Sequence, residues 1–291
     1  MAGASIIQEP ETVPFPTAAV TAATPRGISC RVAPNKPHRA TAGCNPVADG
    51  VAVANAAAMR QSAQLPAFAP LLEELEVAGW SSDRRLLSGN FHDWSLLDNR
   101  TLLVMAGQAI AAESNESIDA VEAALVAQGA WASIRAHAHH AGDAGTLLSL
   151  AARSLWSNVG VGLKAAVALV DLEGGQASVA VAGDCLALRV RATGCEQIAT
   201  RQPALGAESD FSYLSHSVQL SLRERMVLIA DEPQRAGKLS NKIAATFSRL
   251  DAETHRRMMA ADTVAIIRDL YDQETDAEQC ATASMVAVRR R

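Results

Sequence analysis

Apolar and polar positions change rhythm several times along the chain, and each change marks an element. From Leu75 to Ile110 the pattern is strand-like, with two dense stretches, "LLSGNFHDWS" and "LLVMAGQAI", separated by a turn at Asp98-Asn99. From about Asn115 to His139 the period lengthens to that of a helix, and Ile118, Val121, Leu125 and Ala132 fall on one predicted face. Asn115 or Ser117 can cap this helix, and Glu116 and Asp119 suit the positive end of its dipole. A second helix is predicted over about Thr146 to Ser157. An antiparallel meander follows: "KAAVALVDL", the turn "EGGQ", "ASVAVAG", "CLALRV", the turn "RATG" and "CEQIA", with Gly174-Gly175 supplying the positive φ of a tight hairpin. Two more strands, "YLSHSVQLS" and "RMVLIAD", lead to helices between about Ala236 and Asp272, and "ASMVAVR" closes the chain. Strands in runs and helices in runs predict an α+β sandwich of antiparallel sheets, not a doubly wound parallel sheet. "LLVMAG" and "MVLIAD" are expected as central buried strands.

Composition divides the chain once. Residues 1 to about 66 are rich in Ala, Pro, Thr and Gly and carry no sustained period, so they bury too little apolar surface to offset chain entropy. They are expected to be disordered, with one domain over 67–291. The 291 residues carry a formal net charge of −5 and a pI near 5.8, which argues against the basic stripe that nucleic acid or an anionic membrane would need. The five cysteines (Cys30, Cys44, Cys185, Cys195, Cys280) are odd in number and lack C-x-x-C spacing, as expected of reduced thiols in a cytoplasmic protein. No secretory leader is visible, and no apolar run nears the ~18 residues that span a bilayer.

Several landmarks have positions that carry chemistry. A strand holding Ser88-Gly89-Asn90-Phe91-His92-Asp93 precedes one ending Gly107-Gln108-Ala109-Ile110-Ala111. After two helices come Val181-Ala182-Gly183-Asp184, then Ala204-Leu205-Gly206, then Ala230-Asp231-Glu232, and last Ala281-Thr282-Ala283-Ser284-Met285-Val286-Ala287. In order and strand context these resemble the SpoIIE-like branch of the PPM-type metal-dependent serine/threonine phosphatases. That family reads Gly-Gly-Asp-Phe-Tyr-Asp, Gly-Asp-Val-x-Gly-His-Gly, Asn-Ala-Gly-His, Pro-Leu-Gly, Thr-Asp-Gly and Asp-Asp-x-Thr-Leu-Val-Val at the same landmarks. The resemblance covers about 67 to 289 and implies a four-layer α-β-β-α sandwich of two antiparallel sheets flanked by helices. It also implies a bimetal site of Mg²⁺ or Mn²⁺ that activates water for attack on a phosphoserine or phosphothreonine. The implied partner is a phosphorylated regulator, such as an anti-sigma-factor antagonist.

The acids of that site are largely replaced. Asn90 and Gln108 stand where the first aspartate and the bridging aspartate belong, and Ala281 and Thr282 stand at the terminal pair; only Asp231 remains. Hard dications take carboxylate oxygens, and one carboxylate cannot hold two of them against their mutual repulsion. The expectation is therefore a pseudophosphatase with no metal cofactor and no intact catalytic residue, in which Asp231 is vestigial. The alternative is a working phosphatase with a relocated metal site built from Asp93, Asp184, Asp231 or Glu232. The "HAHH" segment (His137, His139, His140) is read as helix-end histidines that complement the dipole. Cys185 and Cys195 are read as strand residues rather than nucleophiles, and Trp131 and Trp156 as core.

Overall fold

The structure, a computed structural model, describes Pro66 and residues 72–291 apart from 83–87, 99, 112–119, 156–160, 209, 232 and 275–282. The expected disordered segment lies outside the described residues except for Pro66, as do Ile118, the capping candidates Asn115 and Ser117, and Trp156. Among the described residues ten strands and five helices follow in the order β1 (Leu75–Ser81), β2 (Asn90–Leu96), β3 (Thr101–Ala111), α1 (Ala120–Ala138), α2 (Ala144–Leu155), β4 (Val161–Asp171), β5 (Gln176–Ala182), β6 (Leu186–Arg191), β7 (Gly194–Gln197), β8 (His216–Gln219), β9 (Arg225–Ala230), α3 (Pro233–Phe247), α4 (Ala252–Arg257), α5 (Ala260–Glu274) and β10 (Ser284–Arg290).

Side-chain alternation along β3 and β4 builds the layers. Leu102, Val104 and Ala106, with Ala166, Ala168 and Val170, point toward Met226, Leu228, Val286 and Val288 of the opposite sheet. Leu103, Met105, Ala165 and Val167 point the other way, onto Ala127, Ala130 and Ile134 of α1 and Leu147, Leu148 and Ala151 of α2. The second sheet alternates likewise, with Val227, Ile229, Met285 and Ala287 packed on Leu239, Ile243 and Phe247 of α3 and Ile267 of α5. The sheets run β2-β3-β4-β5-β8 and β1-β10-β9-β6-β7, every neighbouring pair antiparallel. The result is the expected α-β-β-α sandwich. Each fully buried Leu, Ile or Val side chain in these layers contributes about 1.5–3 kcal/mol.

Local chemistry sets the corners. The Asp98 carboxylate accepts from the backbone N–H groups of Arg100 and Thr101 at 2.7 and 2.6 Å, an Asx turn that reverses β2 into β3. Asp143 caps α2 by accepting from Gly145 N and Thr146 N at 2.9 and 3.0 Å. Gly175, at φ +69°, makes the β4–β5 hairpin.

Three expectations are corrected. The buried face of α1 is Ala123, Ala124, Ala127, Ala130, Ile134 and Ala138, whereas Val121 and Leu125 are 41% and 63% exposed and Ala132 is also exposed. Small alanines let this helix lie close on the sheet, an outcome that ranking by side-chain size misses. The meander is not one sheet, because β5 and β6 lie in different sheets and the chain crosses between them at Gly183, φ +71°. Finally, β9 is central as expected, but β3 is second from the edge and β4 holds the centre of its sheet.

Candidate functional site

The register of β2, β3 and β4 puts three polar side chains in one row. Asn90 pairs with Gln108, and Gln108 pairs with Lys164. All three share the parity of the residues that face the opposite sheet, so the row lies at one end of the inter-sheet layer. Each is buried: Asn90 is 1%, Gln108 4% and Lys164 1% exposed. From the opposite sheet Asp231 follows the last residue of β9 and is 1% exposed. Lys164 Nζ donates to the Asp231 backbone carbonyl at 2.9 Å, joining the two sheets through one side chain. Ser284, at the start of β10, makes a second tie, its hydroxyl donating to the Gly107 carbonyl at 2.8 Å.

The structure thus brings together Asn90, Gln108 and Asp231, and it adds a residue that sequence reasoning missed. The signal for Lys164 was present: it shares the parity of the inward residues of a strand apolar on both faces, a pattern in which a cation is out of place. Ala281, Thr282 and Glu232 lie outside the described residues.

Two of the proposed substitutes, Asp93 and Asp184, do not join this row. Asp93 has the opposite parity and faces α1. Its carboxylate accepts from Trp131 Nε1 at 2.7 Å, from Arg135 Nη1 at 2.8 Å and from the Trp94 backbone N–H at 2.8 Å. Arg135 also lies over the Trp131 ring, 5.1 Å from its centroid. Asp93 is therefore a tie between helix and sheet, its carboxylate directed away from the inward row. Asp184 lies beyond Gly183 and pairs with Arg201 Nε at 2.6 Å, on the wall of a cleft of about 390 Å³ that also touches Lys164.

The remaining candidates stay structural. The Cys185 thiol is pushed up to about 12 by burial, with the Lys164 charge pulling it back and the Asp184 and Asp231 charges adding to the rise. Burial, with the Glu196 charge adding to it, raises Cys195 to about 11. Neither is a poised thiolate. His137 Nε2 shares a 2.8 Å hydrogen bond with the Ser154 hydroxyl, and among the described residues no group of three or more His, Cys, Asp or Glu side chains is placed to hold a metal ion.

A sandwich of two five-stranded antiparallel sheets with helices on both outer faces is the fold of PP2C-type phosphatase domains. The SiaA PP2C domain of Pseudomonas aeruginosa superposes with a TM-score of 0.63 at 16% identity, over 85% of this chain and 99% of that one. The phosphatase domain and regulatory fragment of the cell fate determinant SpoIIE from Bacillus subtilis gives 0.56 at 10% identity, over 75% and 64%. The RsbU and RsbW domains of a Mycobacterium tuberculosis protein give 0.55 at 15% identity, over 76% and 61%. The chain therefore spans less than two thirds of the latter two. No curated protein matches it. The family model for stage II sporulation protein E (SpoIIE) matches residues 119–288, more than half of the chain, and the protein belongs to the SpoIIE family. Among the described residues no helix is long and apolar enough to cross a membrane.

The metal pair implied by this fold can be tested against the donors present. Mg²⁺ and Mn²⁺ take several oxygen ligands, mostly charged ones, in near-octahedral geometry. Among the described residues, the inward row and the facing Asp231 offer two neutral amides, one carboxylate and an ammonium, whose charge opposes any cation. Among the described residues, these donors do not fit a dication pair.

Proposed function

We propose that this chain is a pseudophosphatase: a SpoIIE-family domain that keeps the phosphatase frame, holds no metal pair and acts by binding a regulatory protein in bacterial signalling. The reading is carried by one observation, the cross-strand pairing of buried Asn90 with buried Gln108 where the family has two acids. An amide oxygen can ligate a cation but brings no charge. At an effective dielectric near 20, a unit charge about 4 Å from a dication is worth roughly 8 kcal/mol, so loss of even one bridging acid costs orders of magnitude in metal affinity. The partner we favour is a phosphorylated regulator of the anti-sigma-factor antagonist kind. That choice is supported by the relative that carries RsbU and RsbW domains in one chain. A net charge of −5 argues against nucleic acid as the partner.

The test is Mn²⁺ titration by calorimetry with a phosphoserine-peptide assay on the same sample. The expected result is no saturable Mn²⁺ uptake at millimolar metal and no turnover above background. Mn²⁺-dependent hydrolysis by the unmodified chain would overturn the reading and leave the alternative of a relocated metal site.

A further inference from the structure

We infer that Lys164 is the resident cation of the inherited metal centre, its ammonium taking the place of the dications and barring them from the site. The inference rests on the pseudophosphatase reading and goes beyond it, because loss of acids explains weak binding whereas Lys164 makes the site exclude metal actively.

Position comes first. Lys164 is the register partner of Gln108, the residue on which the bridging acid falls, and its Nζ reaches the main-chain carbonyl of Asp231, the one retained acid of the set. The lysine therefore reaches from the strand paired with Gln108 to the strand end that carries Asp231. The slot around it is shaped to hold the side chain. A Cβ at Gly183 would come within 2.8 Å of Lys164 Cγ, so the glycine leaves room for the lysine stem.

Charge makes the replacements intelligible together. A lysine 1% exposed is tolerated only where its charge is answered nearby, because desolvating an ammonium is costly. Among the described residues the row and the facing Asp231 hold one ammonium and one carboxylate, with amides at 90 and 108, and the Asp184–Arg201 pair on the cleft wall adds no net charge. Those formal charges cancel. Acids at 90 and 108 beside the same lysine would leave buried negative charge in excess, and two dications beside the two amides would leave positive charge in excess. The amides and the lysine thus suit one another in charge.

The experiment compares acid-restored chains with and without the lysine. Asn90→Asp, Gln108→Asp, Ala281→Asp and Thr282→Asp are combined, once with Lys164 retained and once with Lys164→Ala, and Mn²⁺ alone is titrated by calorimetry. The chain lacking Lys164 should bind Mn²⁺ tighter by on the order of a hundredfold or more, since a dication no longer meets a fixed unit charge. Equal affinity in the two backgrounds would overturn the inference even if the unmodified chain proves inactive. Mn²⁺-dependent turnover by the unmodified chain would instead strike the pseudophosphatase reading itself. Because the four-acid chains can fail to fold, a second measurement uses the unmodified protein. Acetylation with acetic anhydride, read residue by residue by mass spectrometry, should modify Lys164 on the order of a hundredfold more slowly than exposed Lys238 and Lys242. Comparable rates would show an ammonium that is not built into the site, and the inference would fall.

Discussion

Replacing Asp93 by alanine removes a carboxylate, 4% exposed, on which three donors from two layers converge. Two are the Trp131 indole N–H and the Trp94 backbone N–H, at 2.7 and 2.8 Å. Hydrogen bonds to a charged acceptor contribute about 1.5–3 kcal/mol each; the lower figure applies here because Trp131 is half-buried and water can reach part of its ring. The third donor, Arg135, is 40% exposed, so its ion pair adds only about 0.5 kcal/mol after solvent screening. The sum is a loss of about 3–4 kcal/mol, or roughly 6–16 °C in Tm for a domain of this size. Urea unfolding followed by tryptophan fluorescence gives the number. A double-mutant cycle with Trp131→Phe should return a coupling of about 1–2 kcal/mol, since both changes remove the same bond. A cost below about 1 kcal/mol, or strict additivity in the cycle, would refute the assignment of Asp93 as a tie between helix and sheet. So would a Tm of the unmodified chain that rises with Mn²⁺ while that of Asp93→Ala does not, because that pattern belongs to a metal ligand.

Gly183→Ala should destabilise the domain by about 2–4 kcal/mol in the same assay, from a left-handed φ of +71° together with a Cβ 2.8 Å from the Lys164 stem. Gly237→Ala, in α3 with nothing within 4 Å of the added Cβ, should stabilise by about 0.5–1 kcal/mol through helix propensity; a loss of stability would show that α3 is not helical there. Burial lowers His92 from 6.5 to about 4, its Nδ1 lying 2.7 Å from the Ser81 hydroxyl. The unfolded chain therefore binds a proton below about pH 6.5 that the folded chain refuses until about pH 4, so stability should fall across that window as pH drops, by roughly 3 kcal/mol from this group. His92→Gln should flatten that part of the pH profile, and an unchanged slope would count against the burial. Cys185, with its thiol pushed up to about 12, should resist alkylation at pH 8 until the domain unfolds, as read by site-resolved mass spectrometry.

Local pattern alone determined much of this protein. Period-two stretches became strands, Asp98 and Gly175 made the turns their chemistry suits, and "RMVLIAD" became the central strand β9. The order of landmarks pointed to the α-β-β-α sandwich and to the SpoIIE family, and the amides at 90 and 108 were visible as replaced acids. What stayed hidden depends on which layer covers which face. Parity separates Asp93 from Asn90 along β2, but only the docking of α1 shows that the Asp93 side meets Trp131 and Arg135. The alanines of α1 gain their place because a sheet lies close against them, a property of the pair and not of the helix. Gly183 sends the chain from one sheet to the other, which a strand pattern cannot distinguish from an ordinary hairpin. Lys164 is the sharpest case. It is one lysine at the start of an apolar strand until the β3–β4 register sets it beside Gln108 and the facing sheet brings the Asp231 carbonyl to its Nζ. Strand propensity acts over a few residues, whereas the field around a buried charge is set by groups distant in the chain, and only tertiary packing brings those together.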